Sequence, residues 1–463
     1  MNNAIDMTQG SIWKRLILFA VPLAMAHLLQ QSYNILDAVI VGHFVSSEAL
    51  AAVGSSIPIT MMIVAFFMGL SNGSTVLAAQ FFGAKNSEEL KNTVHTSILL
   101  SLIIGIVLSA VGVIVSPIIL RLIQTPDEVF VEAVIYLRVY FAGLTGLTVY
   151  NMGAALLTAT GDSKRPLYFL GLSVVVKIVL NLLFVLVFNW GVMAVAWSTV
   201  IAQLINSVLV MWLLCRHKSD IRLNLRELRI HKHILKQILA IGLPGGIQGA
   251  VISFSNVIVQ SYINALGGAA MAGHSVNARL DAFLMTPAQG MALAIAPFVG
   301  QNLGSGKVER ARRGVRIAIS VGVVSTIAAS VIALSFTTSL VQIFTTDAVV
   351  IEYAIGFIRI FVPAYFLLGL SQIITSALRG AGDVKAPTVL VIGCFVALRQ
   401  AYLFLVTQFS HTVTTVALGF PIGWFVASTL LLVYYKRSNW SKFEPLNPSL
   451  YSVTPLKHSG NAP

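Results

Sequence analysis

The chain has little charge and almost no cysteine. Of its 463 residues, 17 are acidic and 30 are Lys or Arg, so 10% carry charge, while 57% are hydrophobic and the mean hydropathy is +0.85. Soluble domains carry about 25% charged and roughly 45–50% apolar residues, so a soluble fold is excluded. Cys215 and Cys394 are the two cysteines, far apart and in or beside apolar runs, which excludes a disulfide framework and a thiolate metal cluster. No cofactor and no metal are expected. The N-terminus has no short apolar core ending at a small-residue cleavage site, and Lys14 and Arg15 stand directly before the first long run. That run is expected to remain as a helix. A net charge of +13 would suggest nucleic acid in a soluble protein, but loop placement accounts for it here, and no nucleic-acid partner is expected.

Apolar windows long enough to cross about 30 Å at 1.5 Å per residue number twelve. They lie near 13–43, 49–79, 92–120, 131–160, 166–188, 191–215, 238–264, 267–300, 314–344, 350–379, 387–408 and 412–435. Several are longer than a straight crossing needs and should tilt, bend or project. Pro22, Pro58, Pro244, Pro287 and Pro297 are candidate kinks. The N-terminus, the even-numbered loops and the tail hold 24 of the 30 Lys and Arg residues, so both termini are expected in the cytoplasm of a multi-pass cell (inner) membrane protein.

The two halves repeat at an offset of about 221 residues. Gly161-Asp162-Ser163-Lys164-Arg165-Pro166 matches Gly382-Asp383-Val384-Lys385-Ala386-Pro387, Gln80 and Gly83 match Gln301 and Gly304, and Arg138 matches Arg359. One residue further, Pro22 matches Pro244 and Asn34 matches Asn256. Six spans per repeat is an even number, so the repeats share an orientation. The expected organisation is an N-terminal six-helix lobe over 1–215, a cytoplasmic basic linker over 216–237 that could lie on the anionic leaflet, a C-terminal six-helix lobe over 238–435 and a tail over 436–463. The tail after Glu444, rich in Pro, Ser and Asn, is expected to be disordered.

Polar residues inside the spans carry the functional signal. His27, Gln30, Asn34 and Asp37 share one face of span one at spacings of three, four and three. A buried carboxylate costs several kcal/mol unless compensated, so Asp37 marks an ion or substrate pathway; Gln30 and Asn34 could equally be interhelical glue, and His27 a satisfied neutral histidine. In span eight Asp281 shares a face with His274 and Asn277, while Arg279 points elsewhere. Arg399, midway along span eleven, is the candidate partner of Asp281 in a structural pair, weighed against a transport role. Lys177, midway along span five and one turn before Asn181, is too deep to snorkel easily and needs an anion, for which Asp37 is the candidate. Ser253, Asn256, Gln260 and Asn264 form a stripe on span seven. Gly304-Ser305-Gly306-Lys307 lacks the spacing of a phosphate loop and reads as a turn.

These residues resemble the multidrug and toxic compound extrusion (MATE) family of secondary transporters. The resemblance is carried by Pro22 and Asp37 before Val41-Gly42, by Val299-Gly300-Gln301-Asn302-Leu303-Gly304 ending span eight, and by the paired Gly-Asp-x-Lys-x-Pro loops; it covers roughly 10–440. It implies an all-α membrane protein, twelve transmembrane helices in two six-helix parallel-repeat lobes around a central cavity. It also implies efflux of amphipathic, often cationic, small molecules driven by inward proton or sodium flow, and no enzymatic activity. Many relatives carry an Asn and, four residues on, an Asp in span five, where this chain has Lys177 and Asn181; a NorM-like branch has carboxylates in spans seven and ten, where Ile252 or Ser253 and Gly369 stand. The resemblance carries a cation site over at Asp37 and not at the departing positions; with Lys177, which needs an anion, and Asn181 one turn on, Asp37 makes up the expected coupling set. Protons are favoured over sodium, because Lys177 would repel Na⁺ and the oxygen-rich set a hard cation prefers is missing. His27, Gln30, Asn34, Asn256, Gln260, Asp281, Arg279 and Arg399 are the expected cavity residues. The alternatives are a flippase of a lipid-linked saccharide, with Lys177, Arg279 and Arg399 receiving a phosphate, and a membrane-embedded transferase, for which no clustered nucleophile, base or metal set is visible. The expected partners are the substrate, the coupling ion and the bilayer, around a monomer.

Overall fold

The computed structural model describes residues 5–45, 47–217 and 221–438; side chains at 33–39, 41–43, 47, 48 and 50, and the tail beyond 438, lie outside the described residues. All regular elements among the described residues are helical. The first half comprises α1 (Ile12–Phe44), α2 (Ser47–Gly83), α3 (Ser87–Leu122), α4 (Asp127–Ala142), α5 (Leu144–Ala159), α6 (Lys164–Leu186) and α7 (Val192–Arg216). The second comprises α8 (Lys232–Asn264), α9 (Gly268–Leu284), α10 (Thr286–Gly304), α11 (Val308–Ser335), α12 (Thr337–Gln342), α13 (Ala348–Phe361), α14 (Tyr365–Gly380), α15 (Lys385–Ile392), α16 (Arg399–Val406) and α17 (Val413–Arg437). Among the described residues ten stretches are long and apolar enough to cross a membrane, and twelve if α4 with α5, bent by 44°, and α9 with α10, bent by 49°, each count as one span. Large apolar side chains such as Ile106, Ile114, Val324 and Val331 stay exposed along these helices, as lipid contact demands and water would penalise. The chain is an all-α, multi-pass membrane protein.

The proline expectations divide. Pro22, Pro58, Pro244 and Pro297 lie inside continuous helices, whereas Pro287 opens α10 at the bend after α9. A proline lacks the N–H and crowds the carbonyl four residues back, so the helix restarts there. The α4–α5 bend at Gly143 has its counterpart in the 3-10 turn Val362–Ala364 between α13 and α14, so these two breaks follow the repeat, while the break at Pro287 does not.

The turns of the repeat are alike in backbone as well as sequence. Gly161 and Gly382 have φ +94° and +89°, and in each turn the next residue's N–H bonds back five residues, Asp162 to the Leu157 carbonyl and Asp383 to the Leu378 carbonyl, at 3.0 Å. This helix ending needs a left-handed residue, which glycine adopts without a Cβ penalty. Between α7 and α8 the described residues from Ile221 on pack against the first half: Ile221 and Leu223 are buried, the Asn224 N–H donates to His95 Nε2 at 3.2 Å, and Lys91 pairs with Glu227 at 2.5 Å.

Candidate functional site

Small residues bring the halves together at the end that carries the two Gly-Asp turns. A Cβ on Gly69 of α2 would lie 2.2 Å from the Gly246 nitrogen of α8, so these two backbones touch with no side chain between them. Toward the opposite end the facing stretches carry exposed Ile57, Met61 and Met62 on α2 and Phe254, Val257 and Ile258 on α8.

At the Gly-Asp end two buried glutamines cross between the halves reciprocally. Gln80 Nε2 donates to the Gly380 carbonyl at 3.2 Å, and Gln301 Nε2 donates to the Ala159 carbonyl at 2.7 Å. Both donors and both acceptors are related by the 221-residue offset. The backbones are equally close: a Cβ on Gly83 would sit 2.0 Å from the Gln301 carbonyl oxygen, and one on Gly304 would sit 2.0 Å from that of Gln80. The N-terminal segment straps this contact. The Ile5 N–H donates to the Gly161 carbonyl, the Met7 N–H to Gln301 Oε1, and Arg310 donates to the carbonyls of Met7, Gln9 and Gly10. Asp6 lies below the ordinary carboxylate range: burial, the largest influence, pushes it up, but hydrogen bonds from Thr8 and the charges of Lys307 and Arg15 outweigh it.

Just inside this clasp lies a cavity of about 190 Å³ between the halves. Its walls come from α1, α2, α5 and α6 of the first half and from α10 and α14 of the second. Of the expected cavity residues, His27 and Gln30 line it. The side chains of Asn34 and Asp37 lie outside the described residues. Arg379, Asn72, Asn151 and Ser376 are cavity residues that sequence reading missed. Asn72 and Asn151 are legible as polar residues within apolar spans, while Arg379 sits at a span end, where a charge reads as part of a loop.

The other expected residues stand elsewhere. Lys177 and Asn181 are buried on α6, at 2% and 1% exposure, and Asn181 Oδ1 accepts from the Ser198 hydroxyl of α7 at 2.5 Å. Gln260 donates to Asn264 Oδ1 at 2.9 Å, and exposed Arg279 lies over the Phe344 ring at 5.9 Å. Asp281 accepts from Asn277 Nδ2 at 3.2 Å. The expected Asp281–Arg399 pair is not formed among the described residues. Arg399, 4% exposed, instead donates to Ser255 Oγ at 2.7 Å and Asn256 Oδ1 at 2.9 Å and stacks on Phe420. The reason is packing: α9 lies chiefly against α13, whereas α8 lies against the π turn Gly393–Leu398 that leads into Arg399.

That π turn also restores a correspondence. Pro166 and Pro387 are 221 residues apart, Lys177 and Arg399 are 222 apart, and a π turn accommodates one extra residue. Each half thus holds one buried cation at the same depth of its fifth span.

The family model for MatE matches two segments, residues 22–183 and 244–404, which together span most of the chain and fall one in each half. The chain belongs to the MatE family. MatE proteins are secondary transporters for small-molecule efflux, not enzymes. Among similar sequences, the probable multidrug resistance protein YoeA of Bacillus subtilis is 29% identical, aligned over 94% of this chain and 96% of that protein; YpnP of the same organism, also a probable multidrug resistance protein, is 27% identical over 94% and 98%. The fold matches the outward-facing structure of a multidrug resistance MATE family transporter of the MOP superfamily, with TM-score 0.87, 24% identity and coverage of 94% and 97%.

Proposed function

We propose that this MatE protein exports amphipathic small molecules by alternating access, with two six-helix lobes (1–215 and 238–435) rocking about the linker 216–237, and with a proton moving inward through Asp37. The reciprocal Gln80 and Gln301 bonds carry the reading. Contacts duplicated by the repeat make and break together when the lobes rotate about their shared axis, which is what a gate requires. With the basic loops, both termini and the tail 436–463 in the cytoplasm, the clasp is the closed inner gate and the opposite end faces outward. Cysteines replacing Lys164 and Lys385 are then expected to react with an impermeant maleimide only from the cytoplasmic side; reaction from opposite sides would end the parallel six-plus-six arrangement.

The coupling assignment is supported by register. The Cβ position of Gly171 on α6 lies 3.9 Å from Leu29 Cδ1 of α1, and further along Ile40 shares a cluster with Val185 and Ala194. Between these contacts position 37 of α1 falls level with position 181 of α6, one turn from Lys177. The repeat adds a parallel: Arg399 reaches Asn256, the counterpart of Asn34, so the fifth-span cation turns toward the first-span equivalent in the second half. A proton needs one carboxylate whose charge the protein can compensate in one state and neutralise in another, and a neighbouring lysine supplies that compensation. Purified protein in liposomes is expected to export an amphipathic dye under an imposed proton gradient and not under a sodium gradient of equal size. Export under sodium alone would move the coupling ion, and export under neither would end the antiport reading.

A further inference from the structure

Among its described residues the inter-lobe cavity carries a positive charge and no negative one. Its described lining includes Arg379 and no carboxylate; the other polar residues include His27, Gln30, Asn72, Asn151, Ser376 and Thr158. Arg379 and Thr158 are equivalent by the 221-residue offset, so the repeat offers a neutral residue on one side of the cavity and a cation on the other. The cation is held, not balanced. Its Nη2 donates to Gln248 Oε1 of α8 at 2.8 Å, which fixes the guanidinium plane while adding no negative charge. Its Nε is buried with no hydrogen-bond partner among the described residues. A guanidinium carries its full charge whichever of its donors are engaged, so with Nη2 held by Gln248 and Nε closed off, the cation still presents its charge to an anion beside it.

We infer that the cavity beside Arg379 is a substrate subsite for an anionic head group, a carboxylate carried on an apolar body, with Arg379 determining the preference and Gln248 positioning it. This rests on reading the space between the lobes as the substrate path, and it differs from the cationic substrate that the family resemblance implies. The apolar remainder of the lining, including Leu23, Met68, Ala154 and Leu293, gives the body of such a molecule its contact. At about 190 Å³ the space holds a head group and the first part of a tail, smaller than the 300–1,000 Å³ of pockets that enclose whole drug-sized ligands.

The test is equilibrium binding to the purified full-length protein with no gradient present, with empty micelles as background. The probe is 11-(dansylamino)undecanoic acid, compared with the amide and the amine built on the same dansyl chain. The acid is expected to bind at least about tenfold more tightly than the amide, and the amine most weakly; tenfold corresponds to about 1.4 kcal/mol, within what one charge-assisted hydrogen bond supplies. Arg379→Gln should bring the acid to the level of the amide and leave the amide unchanged, and Arg379→Lys should fall between. Ser376→Asp, one turn away in the cavity wall, should cancel the Arg379 charge and bring the acid down toward the amide. In wild-type protein, equal binding of acid and amine overturns the inference with no variant needed, as does unchanged acid affinity in folded Arg379→Gln. An anionic phospholipid competitor distinguishes the source of the head group: displacement of the acid shows a lipid head at the same site, and lack of displacement shows a site for free amphiphiles. Binding with the expected ranking but without gradient-driven export would sink the antiport reading and leave this subsite standing.

Discussion

Gly304→Val should abolish transport while leaving both lobes folded. The added Cβ would lie 2.0 Å from the Gln80 carbonyl oxygen, a backbone atom that no rotamer change can move. The clash exists only while the lobes meet at the Gly-Asp end, so it acts on one side of the conformational equilibrium. Overpacking of this kind costs about 1–3 kcal/mol, and a loss near 3 kcal/mol reduces the clasped population by roughly a hundredfold. Gly83→Val should do the same through the Gln301 carbonyl, because the repeat makes the two contacts equivalent. A cysteine replacing Ser376 in the cavity would report the mechanism: an impermeant reagent should reach it from the Gly-Asp side much faster in the valine variants. Wild-type export rates in either variant would show that this contact is not a gate. Gln80→Ala with Gln301→Ala should give a weaker effect of the same sign, since two buried hydrogen bonds are lost without a steric block.

Asp37→Asn is expected to eliminate proton-driven export and to leave insertion intact, because amide and carboxylate match in size and polarity but the amide cannot take up a proton. If Lys177 is the charge that Asp37 compensates, the variant should also melt at lower temperature, since removing one member of a buried pair costs about 3–5 kcal/mol. Adding Lys177→Ala to Asp37→Asn should then recover much of the thermal stability and none of the transport. That separation is informative, because a merely structural pair would recover function together with stability. Export at the normal rate in Asp37→Asn would transfer the coupling role, with Asp281 the next residue to test. Unchanged melting in the single variant would show that Lys177 answers to another group.

The sequence by itself determined the membrane class, the number of apolar windows and the repeat. These depend on counts and periods that need no partner: apolar runs long enough to cross a bilayer, and Gly-Asp turns whose glycines must adopt positive φ wherever they occur. It also marked Gln80 and Gln301, though only as signs of the repeat. The tertiary structure decided what those glutamines do, because a donor and a carbonyl some 140 to 300 residues away meet only when the two halves of the chain pack together. It decided that Arg399 answers to Ser255 and Asn256, since a π turn, invisible in an apolar run, sets where the arginine stands on its helix. It decided that Arg379 belongs to a cavity. At a span end a charge reads as solvated, and only the packing of α14 on α10, with the Arg379–Gln248 hydrogen bond to α8, places it in a cavity wall. Local chemistry along one chain fixes which segments enter the membrane; which polar groups face each other there depends on helix rotation and depth, and those are set by packing against neighbours.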